Sequence, residues 1–281
     1  MILEKNGGMD GEDIVVYDAS RNIPEFFRRY VDAGLPKAVK FQDVYSCVED
    51  RSEPIHWSGQ VNGEVSYLPS CLTQAAYLIN CCDLKGHSMG GVTLCAKNHF
   101  GSVINSDKKA SPLVAGLHEF VSPLIKSNYT PYVDLESNPH IGRKTILYLI
   151  DGLVSAVSER STGAVGLEEY SWKQPPFCGA LPSSIFLSQD PVAIDSVAAD
   201  FLCTEPFMLE HNFVLRKFGA KVTEYLREMA LADKPPSSVK YVFVKNSLGV
   251  HEHWKDPVEK KYSRNLGADE GIELICLQDF V

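Results

Sequence analysis

Side chains that could bind an anion and move protons gather between residues 75 and 101, a segment that reads AAYLINCCDLKGHSMGGVTLCAKNHFG. Lys85 and His87 follow an apolar run, and Lys97 and Asn98 follow a glycine pair. Lysine ammonium groups bind carboxylates and phosphates, and histidine exchanges protons near neutral pH. Glycine pairs usually just make turns, so the clustered polar side chains carry the prediction. The segment therefore predicts a site for a small anionic ligand.

The elements that would position these groups are a strand, a glycine loop and a helix. Residues 76–82 form a short apolar run bounded by turn residues, which is typical of a strand buried on both faces. Gly90 and Gly91 follow, and the next apolar residues fall near helical spacing up to Gly101. A helix that begins at a glycine loop presents unpaired N–H groups to one point. This arrangement predicts that the helix start contributes to anion binding.

Two aspartates lie at the ends of predicted elements. Asp151 follows the apolar run at residues 144–150, and ligands of open α/β sheets lie outside the carboxyl ends of strands. A turn-capping role is the alternative for Asp151. In SSIFLSQDPVAIDSVAADFL, residues 184–188 predict a strand, Asp190 a helix N-cap and Pro191 the first helical residue. Asp195 then falls among apolar residues, where a carboxylate needs a cationic or metal partner.

Two histidines near the C-terminus suggest a metal site. His251 and His253 alternate around Glu252, so an extended backbone places both imidazoles on one face. Two such histidines are a common beginning of a divalent metal site, which Asp151 or Asp195 could complete. The alternative is a hydrogen-bonded structural pair beside Trp254.

The composition of the chain argues against several classes of partner and cofactor. The 281 residues are 44% hydrophobic and carry a net charge of −9, which does not favour nucleic acid or an anionic membrane as a partner. No apolar run reaches the roughly 18 residues of a membrane span, and the start lacks signal-peptide features, so we expect a cytoplasmic protein. The eight cysteines form no CxxC pair, so no iron–sulfur cluster is expected.

The alternation of strands and helices predicts an α/β fold with a mixed, mostly parallel sheet flanked by helices. At this length we expect a single domain over residues 1–281. The polar segment 155–179, with its glycines and Pro175-Pro176, predicts a lid-like excursion. Asn62-Gly63 predicts a hairpin turn.

Four motifs together give the chain a family resemblance: LKGHSMGGVTLCAKNHFG, ILYLIDGL, SIFLSQDPVAIDSVAADFL and SLGVHEHW. With them the chain resembles the bacterial and archaeal family called domain of unknown function 362, from about Asp13 to the C-terminus. The resemblance implies a further α/β segment before this region in longer members. Some relatives carry iron–sulfur modules, whose cysteine spacing this sequence lacks.

A fainter likeness links the glycine–lysine block to the N-terminal domain of nickel-pincer lactate racemase. There a glycine-rich loop and a lysine hold a cofactor. The likeness implies that Lys85, His87 and Lys97 face a ligand. It does not imply a nickel cofactor in this chain.

Three functional hypotheses remain open. The first is an enzyme acting on a small carboxylate or phosphate by acid–base or metal-assisted chemistry, as an isomerase, lyase or hydrolase. The second is a non-catalytic protein that binds a cofactor or anion, and the third assigns these groups only structural roles. The predicted residues are catalytic His87, Lys85, Asp151 and Asp195; anion-binding Gly90, Gly91, Thr93, Lys97 and Asn98; and metal-binding His251 and His253. A carboxylate within hydrogen-bond reach of His87 would favour the enzyme.

Overall fold

The computed structural model describes residues 8–34, 39–59, 65–105, 115–125, 128–159 and 171–277. Its strands are β1 (Val15–Tyr17), β2 (Lys40–Gln42), β3 (Arg51–Pro54), β4 (Ser66–Pro69), β5 (Leu78–His87), β6 (Gly91–Thr93), β7 (Ile104–Asn105), β8 (Thr145–Ala156) and β9 (Ser184–Ser188). Its α-helices are α1 (Glu25–Gly34), α2 (Val44–Glu49), α3 (Ser70–Gln74), α4 (Cys95–Asn98), α5 (Thr130–Ser137), α6 (Pro191–Thr204), α7 (Pro206–His211), α8 (Phe213–Phe218) and α9 (Glu224–Ala230). Within these ranges, no helix has both the length and the apolar character needed to cross a bilayer.

The residue contacts group the chain into two compact units. The first unit comprises Met1–His56, Gln60–Ala76 and His99–Gly116, and the second comprises Trp57–Gly59, Tyr77–Asn98 and Leu117–Val281. The assignment of residues 1–281 to one domain stays a prediction. All of the predicted site residues belong to the second unit.

The first unit contains two small sheets. β1 and β2 pair in parallel, and β3, β4 and β7 form an antiparallel sheet in that order. Asp43 caps α2 by accepting hydrogen bonds from the backbone N–H groups of Tyr45 and Ser46. Cys47 and Ile104 belong to the hydrophobic core of the first unit.

The second unit is built on a four-stranded sheet with the order β6-β5-β8-β9. Only the central β5–β8 pair is parallel, and β6 and β9 run antiparallel to their neighbours. The α/β fold class is thus confirmed, but the prediction of a mostly parallel sheet is wrong. The three residues between His87 and Gly91 explain β6, because so short a turn can join only antiparallel strands.

Burial alternates along β5, which corrects the prediction of a strand buried on both faces. Cys82 and Leu84 are buried on one face, whereas Cys81 and Asp83 on the other face are exposed. Helix α6 packs against β5 and β9. The strand is therefore covered on one side, and Asp83, Lys85 and His87 alternate toward the other side.

Helix α6 follows the local pattern that its sequence predicts. Asp190 accepts hydrogen bonds from the N–H groups of Val192 and Ala193 at 2.8 Å, and Pro191 is the first helical residue. The second oxygen of Asp190 accepts the N–H group of Val250 at 2.9 Å. Asp190 thus caps α6 and also fixes the C-terminal segment on the helix.

Two predicted features fall on residues that the structure does not describe. The Asn62-Gly63 hairpin lies outside the described residues, as do residues 160–170 of the predicted lid-like excursion. The described ends of that excursion are packed together, since the buried Trp172 donates from its ring nitrogen to the hydroxyl of Ser155 at 2.6 Å. The lid itself stays a prediction.

Candidate functional site

His87 ends β5 and is held by the turn that follows it. Its Nδ1 atom accepts hydrogen bonds from the backbone N–H groups of Met89 and Gly90, both at 3.0 Å. A neutral imidazole has one acceptor nitrogen and one donor nitrogen, so neutral His87 carries its proton on Nε2. Burial, helped by the nearby charge of Lys97, lowers the pKa of His87 to about 3. At neutral pH, His87 is therefore a hydrogen-bond donor through Nε2.

Lys97 and His118 lie beside His87. The rings of His87 and His118 stack with their centroids 5.2 Å apart and their planes 20° apart. Nζ of Lys97, a residue that is only 9% exposed, lies 3.1 Å from Nε2 of His118. An ammonium group only donates hydrogen bonds, so Nε2 of His118 is the acceptor. A Cβ atom at Gly90 would lie 3.7 Å from Cε of Lys97 and 3.8 Å from Nδ1 of His87. Gly90 therefore lies next to both side chains.

Glu159 brings a carboxylate to this group. One of its oxygens accepts the backbone N–H group of Ser88 at 2.8 Å, and the other accepts the Ser88 hydroxyl. Burial alone would raise the pKa of Glu159, but the hydrogen bonds from Ser88 and the proximity of His87 outweigh it and lower that pKa to about 2. Oε2 of Glu159 lies 3.9 Å from Nε2 of His87, which is beyond hydrogen-bond distance. We call His87, Ser88, Lys97, His118 and Glu159 the His87 cluster.

Lys85 belongs to a more exposed group on the same strand. Its ammonium donates to Asp83 at 2.7 Å, and Asp83 lies opposite Asp151 on the neighbouring strand. Asp151 accepts the backbone N–H group of Leu153 at 2.8 Å; it lies within β8, which continues to Ala156, so the prediction that it follows the end of the strand is wrong. Thr93 lies opposite Lys85 on β6, and its buried hydroxyl has no hydrogen-bond partner among the described residues. Lys85 therefore lies next to Asp83 on its own strand and opposite Thr93 on β6.

Asp195 is 0% exposed and contacts the first turn of α4. It accepts the N–H groups of Cys95 at 2.8 Å and Ala96 at 3.0 Å, and also the hydroxyl of Tyr225 at 3.0 Å. Burial raises the pKa of Asp195 to about 7. The N–H groups that we expected to bind an external anion are thus bound by a carboxylate of the same chain. The expected helix-start mechanism is wrong, while anion binding by the side chains stays a prediction.

Asn98 is also used within the fold. Its amide nitrogen donates to the side-chain oxygen of Asn80 at 2.8 Å and to the carbonyl of Cys81 at 2.9 Å. The amide nitrogen of Asn80 in turn donates to the carbonyl of Cys95 at 2.9 Å. This chain of amides ties α4 to β5, so the Asn98 side chain positions the helix that carries Lys97.

His251 and His253, the C-terminal histidine pair, bond to helix α6. Nδ1 of His251 lies 2.9 Å from the hydroxyl of Ser196, and Nδ1 of His253 lies 2.6 Å from a carboxylate oxygen of Asp200. The two rings meet edge to face with their centroids 4.9 Å apart. Their predicted placement on one face is thus observed. Among the described residues, no group of three or more histidine, cysteine or acidic side chains is arranged to hold a metal.

Some of the predicted site residues lie together in the structure, whereas others make hydrogen bonds within the fold. His87, Gly90 and Lys97 meet in the His87 cluster, and Lys85 with Thr93 lies on the adjacent stretch of β5 and β6. Gly91 pairs with His87 across the hairpin. Asp195 and Asn98 bond to the α4 backbone and to β5, and Asp151 lies beside Asp83, as described above.

Four polar residues of this region were not predicted from the sequence: Asp83, Ser88, His118 and Glu159. Ser88 adjoins His87, and Asp83 precedes Lys85 by two residues, so alternation along a strand could have identified Asp83. His118 and Glu159 reach the cluster only through tertiary folding. No local pattern marks them.

Comparison with known protein families gives one match. The model of the family described as Domain of unknown function (DUF362) matches residues 2–200. The match begins before Asp13 and ends at residue 200, whereas we expected it to run from about Asp13 to the C-terminus. No curated protein and no solved structure matches the chain, so the likeness to the lactate racemase domain is not shown. Because the matched segment covers more than half of the 281 residues, the chain belongs to the DUF362 family.

Proposed function

We propose that this protein is an enzyme that acts on a small anionic substrate, a carboxylate or a phosphate, at the His87 cluster. One observation carries the proposal: a buried lysine ammonium, two stacked imidazoles and a carboxylate converge at the end of one strand. Burying acidic and basic side chains costs free energy. Clusters of such side chains are therefore more frequent at functional sites than in ordinary cores.

Lys97 is the cation that we assign to the substrate's negative charge. Its position next to His118 holds the ammonium in a largely buried place, where a charge interaction is less screened than at the surface. Lys85 is assigned a secondary role, because its side chain is more exposed than the buried Lys97. Thr93 is assigned a hydrogen bond to the ligand, since its hydroxyl is buried and lies opposite Lys85.

His87 is assigned a different role from the proton transfer that its sequence context predicts. Because Nδ1 accepts two backbone N–H groups, the neutral ring offers only Nε2–H. Such a donor stabilises negative charge that develops on a substrate oxygen. Glu159 is the carboxylate nearest to Nε2 among the described contacts, and we assign it as the acceptor of a substrate proton. Its hydrogen bonds from Ser88 and its low pKa make it a weak base, so this assignment requires a substrate proton that is readily released.

The alternative function is binding without turnover. It is favoured by the separation of 3.9 Å between Glu159 and His87, because no carboxylate of the described residues orients the His87 ring through a direct hydrogen bond. The two proposals share the ligand class and differ only in whether the ligand is changed.

A ligand screen with matched lysine variants tests the shared part of these proposals. Thermal unfolding is measured with inorganic phosphate, acetate, malonate and citrate for the wild type, Lys97→Met and Lys234→Met. Lys234 is an exposed lysine of the same unit and serves as the control. We expect at least one anion to raise the melting temperature of the wild type and of Lys234→Met, but not of Lys97→Met. An equal rise in all three proteins would contradict the assignment of Lys97.

Turnover separates the enzyme from the binding protein. The anion that stabilises the wild type is incubated with catalytic amounts of protein, and the mixture is followed by proton and phosphorus NMR. The enzyme proposal expects a new product with the wild type and none with Glu159→Gln. An unchanged ligand that still raises the melting temperature would support the binding protein.

A further inference from the structure

We propose that the C-terminal histidine pair is a binding site for a first-row divalent metal ion of the Cu²⁺, Ni²⁺ and Zn²⁺ class, with His251 and His253 as its two protein ligands. The site is separate from the His87 cluster and does not depend on the function proposed for that cluster. Its basis is the orientation of the two imidazoles by helix α6.

Each ring is oriented through its Nδ1 atom. The hydroxyl of Ser196 donates to the carbonyl of Val192 at 2.7 Å, so its oxygen accepts from Nδ1–H of His251 at 2.9 Å. The carboxylate of Asp200 accepts from Nδ1–H of His253 at 2.6 Å. Both rings therefore present Nε2 as the metal-binding nitrogen. Histidine ligands commonly donate their other ring N–H to such an oxygen, which fixes the tautomer and the orientation of the ring.

The groups that orient the rings are themselves held firmly. Ser196 is 0% exposed, and Asp200 also accepts the backbone N–H group of Trp254 and the hydroxyl of Tyr262, both at 3.0 Å. The side chain of His253 is 47% exposed, so an ion can reach the pair from solvent. A metal site requires ligands that are held by rigid neighbouring groups and that solvent can reach. Ser196 and Asp200 hold the two rings, and His253 is accessible to solvent.

The separation of the rings matches two ligands of one ion. A metal–nitrogen bond of about 2.1 Å and about 1.1 Å from nitrogen to ring centre put each ring centre about 3.2 Å from the ion. Ligands at tetrahedral or octahedral angles then have ring centres about 4.5 to 5.2 Å apart. The observed centroid separation is 4.9 Å.

The ligand set indicates the class of ion. Imidazole nitrogens suit copper, nickel and zinc, whereas calcium and magnesium prefer oxygen ligands. Because no third metal-binding side chain joins the pair among the described residues, the remaining coordination positions are assigned to exchangeable water. The affinity order for such nitrogen sites puts Cu²⁺ above Ni²⁺ and Zn²⁺.

Copper titration tests the site on the full-length chain. Cu²⁺ is added to the wild type, and the electron paramagnetic resonance spectrum is recorded together with tryptophan fluorescence, because Trp254 adjoins His253 in sequence. We expect one equivalent of Cu²⁺ with hyperfine structure from two nitrogens and with quenched fluorescence. Zn²⁺ in excess should displace it and restore the fluorescence.

Variants identify the ligands. His251→Gln and His253→Gln should each weaken Cu²⁺ binding at least tenfold, whereas His211→Gln, at a histidine side chain that is 50% exposed, should not change it. Ser196→Ala alters no ligand but removes the group that orients His251, and we expect it to weaken binding about 10-fold to 100-fold. Circular dichroism confirms that each variant is folded. Wild-type affinity in both ligand variants, or no bound copper in the wild type, would overturn the proposal.

Discussion

The carboxylate of Asp195 binds the backbone N–H group of Cys95, one hundred residues earlier in the chain, at 2.8 Å. The same carboxylate accepts the N–H group of Ala96 at 3.0 Å, and both donors belong to the first turn of α4. A residue of one helix thus caps another helix, and α4 carries Lys97 into the His87 cluster. The aspartate that the sequence marked for catalysis contributes to the site by holding its lysine in place.

Replacing Asp195 with alanine should destabilise the protein strongly. The substitution leaves two buried backbone N–H groups and the Tyr225 hydroxyl without their acceptor, and each unsatisfied group costs about 1–3 kcal/mol. We expect a loss of about 3 kcal/mol or more in the free energy of unfolding, measured by urea denaturation. Asp190→Ala is the comparison: loss of this half-buried helix cap should cost about 1 kcal/mol, apart from the loss of the acceptor for the Val250 N–H group. A loss below 1 kcal/mol for Asp195→Ala would show that the buried carboxylate does not hold α4.

The ionisation of His87 should make the wild type less stable in acid. Its pKa is about 3 in the folded protein against an ordinary value of 6.5, so between these values the unfolded chain binds a proton that the folded chain does not. The unfolding free energy then falls as pH decreases below 6.5, by up to about 1.4 kcal/mol per pH unit for this group. The charged or titratable groups around His87 are Lys85, Lys97, His118 and Glu159.

The measurement is the difference in unfolding free energy between the wild type and His87→Asn at several pH values from 7 to 4.5. Asparagine retains an acceptor for the N–H groups of Met89 and Gly90 but does not titrate. The stability of the wild type relative to His87→Asn should decrease as the pH falls from 6.5 to 4.5. Parallel pH profiles for the wild type and His87→Asn would show that His87 titrates normally.

Gly91 should not tolerate a side chain. Its φ is +84°, and a Cβ atom would lie 2.5 Å from Cγ1 of Val222. We expect Gly91→Ala to lower the unfolding free energy by about 1–3 kcal/mol through the backbone conformation and the overlap together. The double variant Gly91→Ala/Val222→Ala should recover the part due to overlap, relative to Val222→Ala alone. Equal costs in the two backgrounds would assign the whole effect to the backbone.

Glu159 should weaken anion binding in the wild type, because its negative charge lies 3.9 Å from His87. Glu159→Gln preserves the shape of the side chain and removes the charge, so we expect a small anion to bind more tightly, by up to about tenfold. Calorimetric titration with inorganic phosphate gives the dissociation constants. Weaker binding in Glu159→Gln would mean that the carboxylate helps to hold the ligand, as it would if the ligand were a cation.

Short-range patterns predicted the structure well where local chemistry decides it. Asp190 as a cap, Pro191 as the first helical residue and the strand at residues 184–188 follow from contacts within a few residues. Strand direction was less predictable. β9 pairs antiparallel with β8 after an intervening segment whose path the sequence does not encode locally.

The candidate site was predictable only in part, for the same reason. Lys85, His87 and Lys97 lie in one segment, so their proximity could be inferred from spacing. Glu159 meets Ser88 across 71 positions, and His118 meets Lys97 across 21. These contacts depend on how strands and helices pack, and a single sequence carries no local signal for them.

The most direct test of the proposed anion site is the ring-nitrogen NMR spectrum of His87 at pH 7, recorded during titration with inorganic phosphate and with malonate. We expect a neutral ring protonated on Nε2, whose Nε2 signal shifts when at least one anion is added to the wild type and stays fixed in Lys97→Met. A ring protonated on Nδ1, or a His87 signal that no anion moves while the same anion raises the melting temperature, would contradict this prediction.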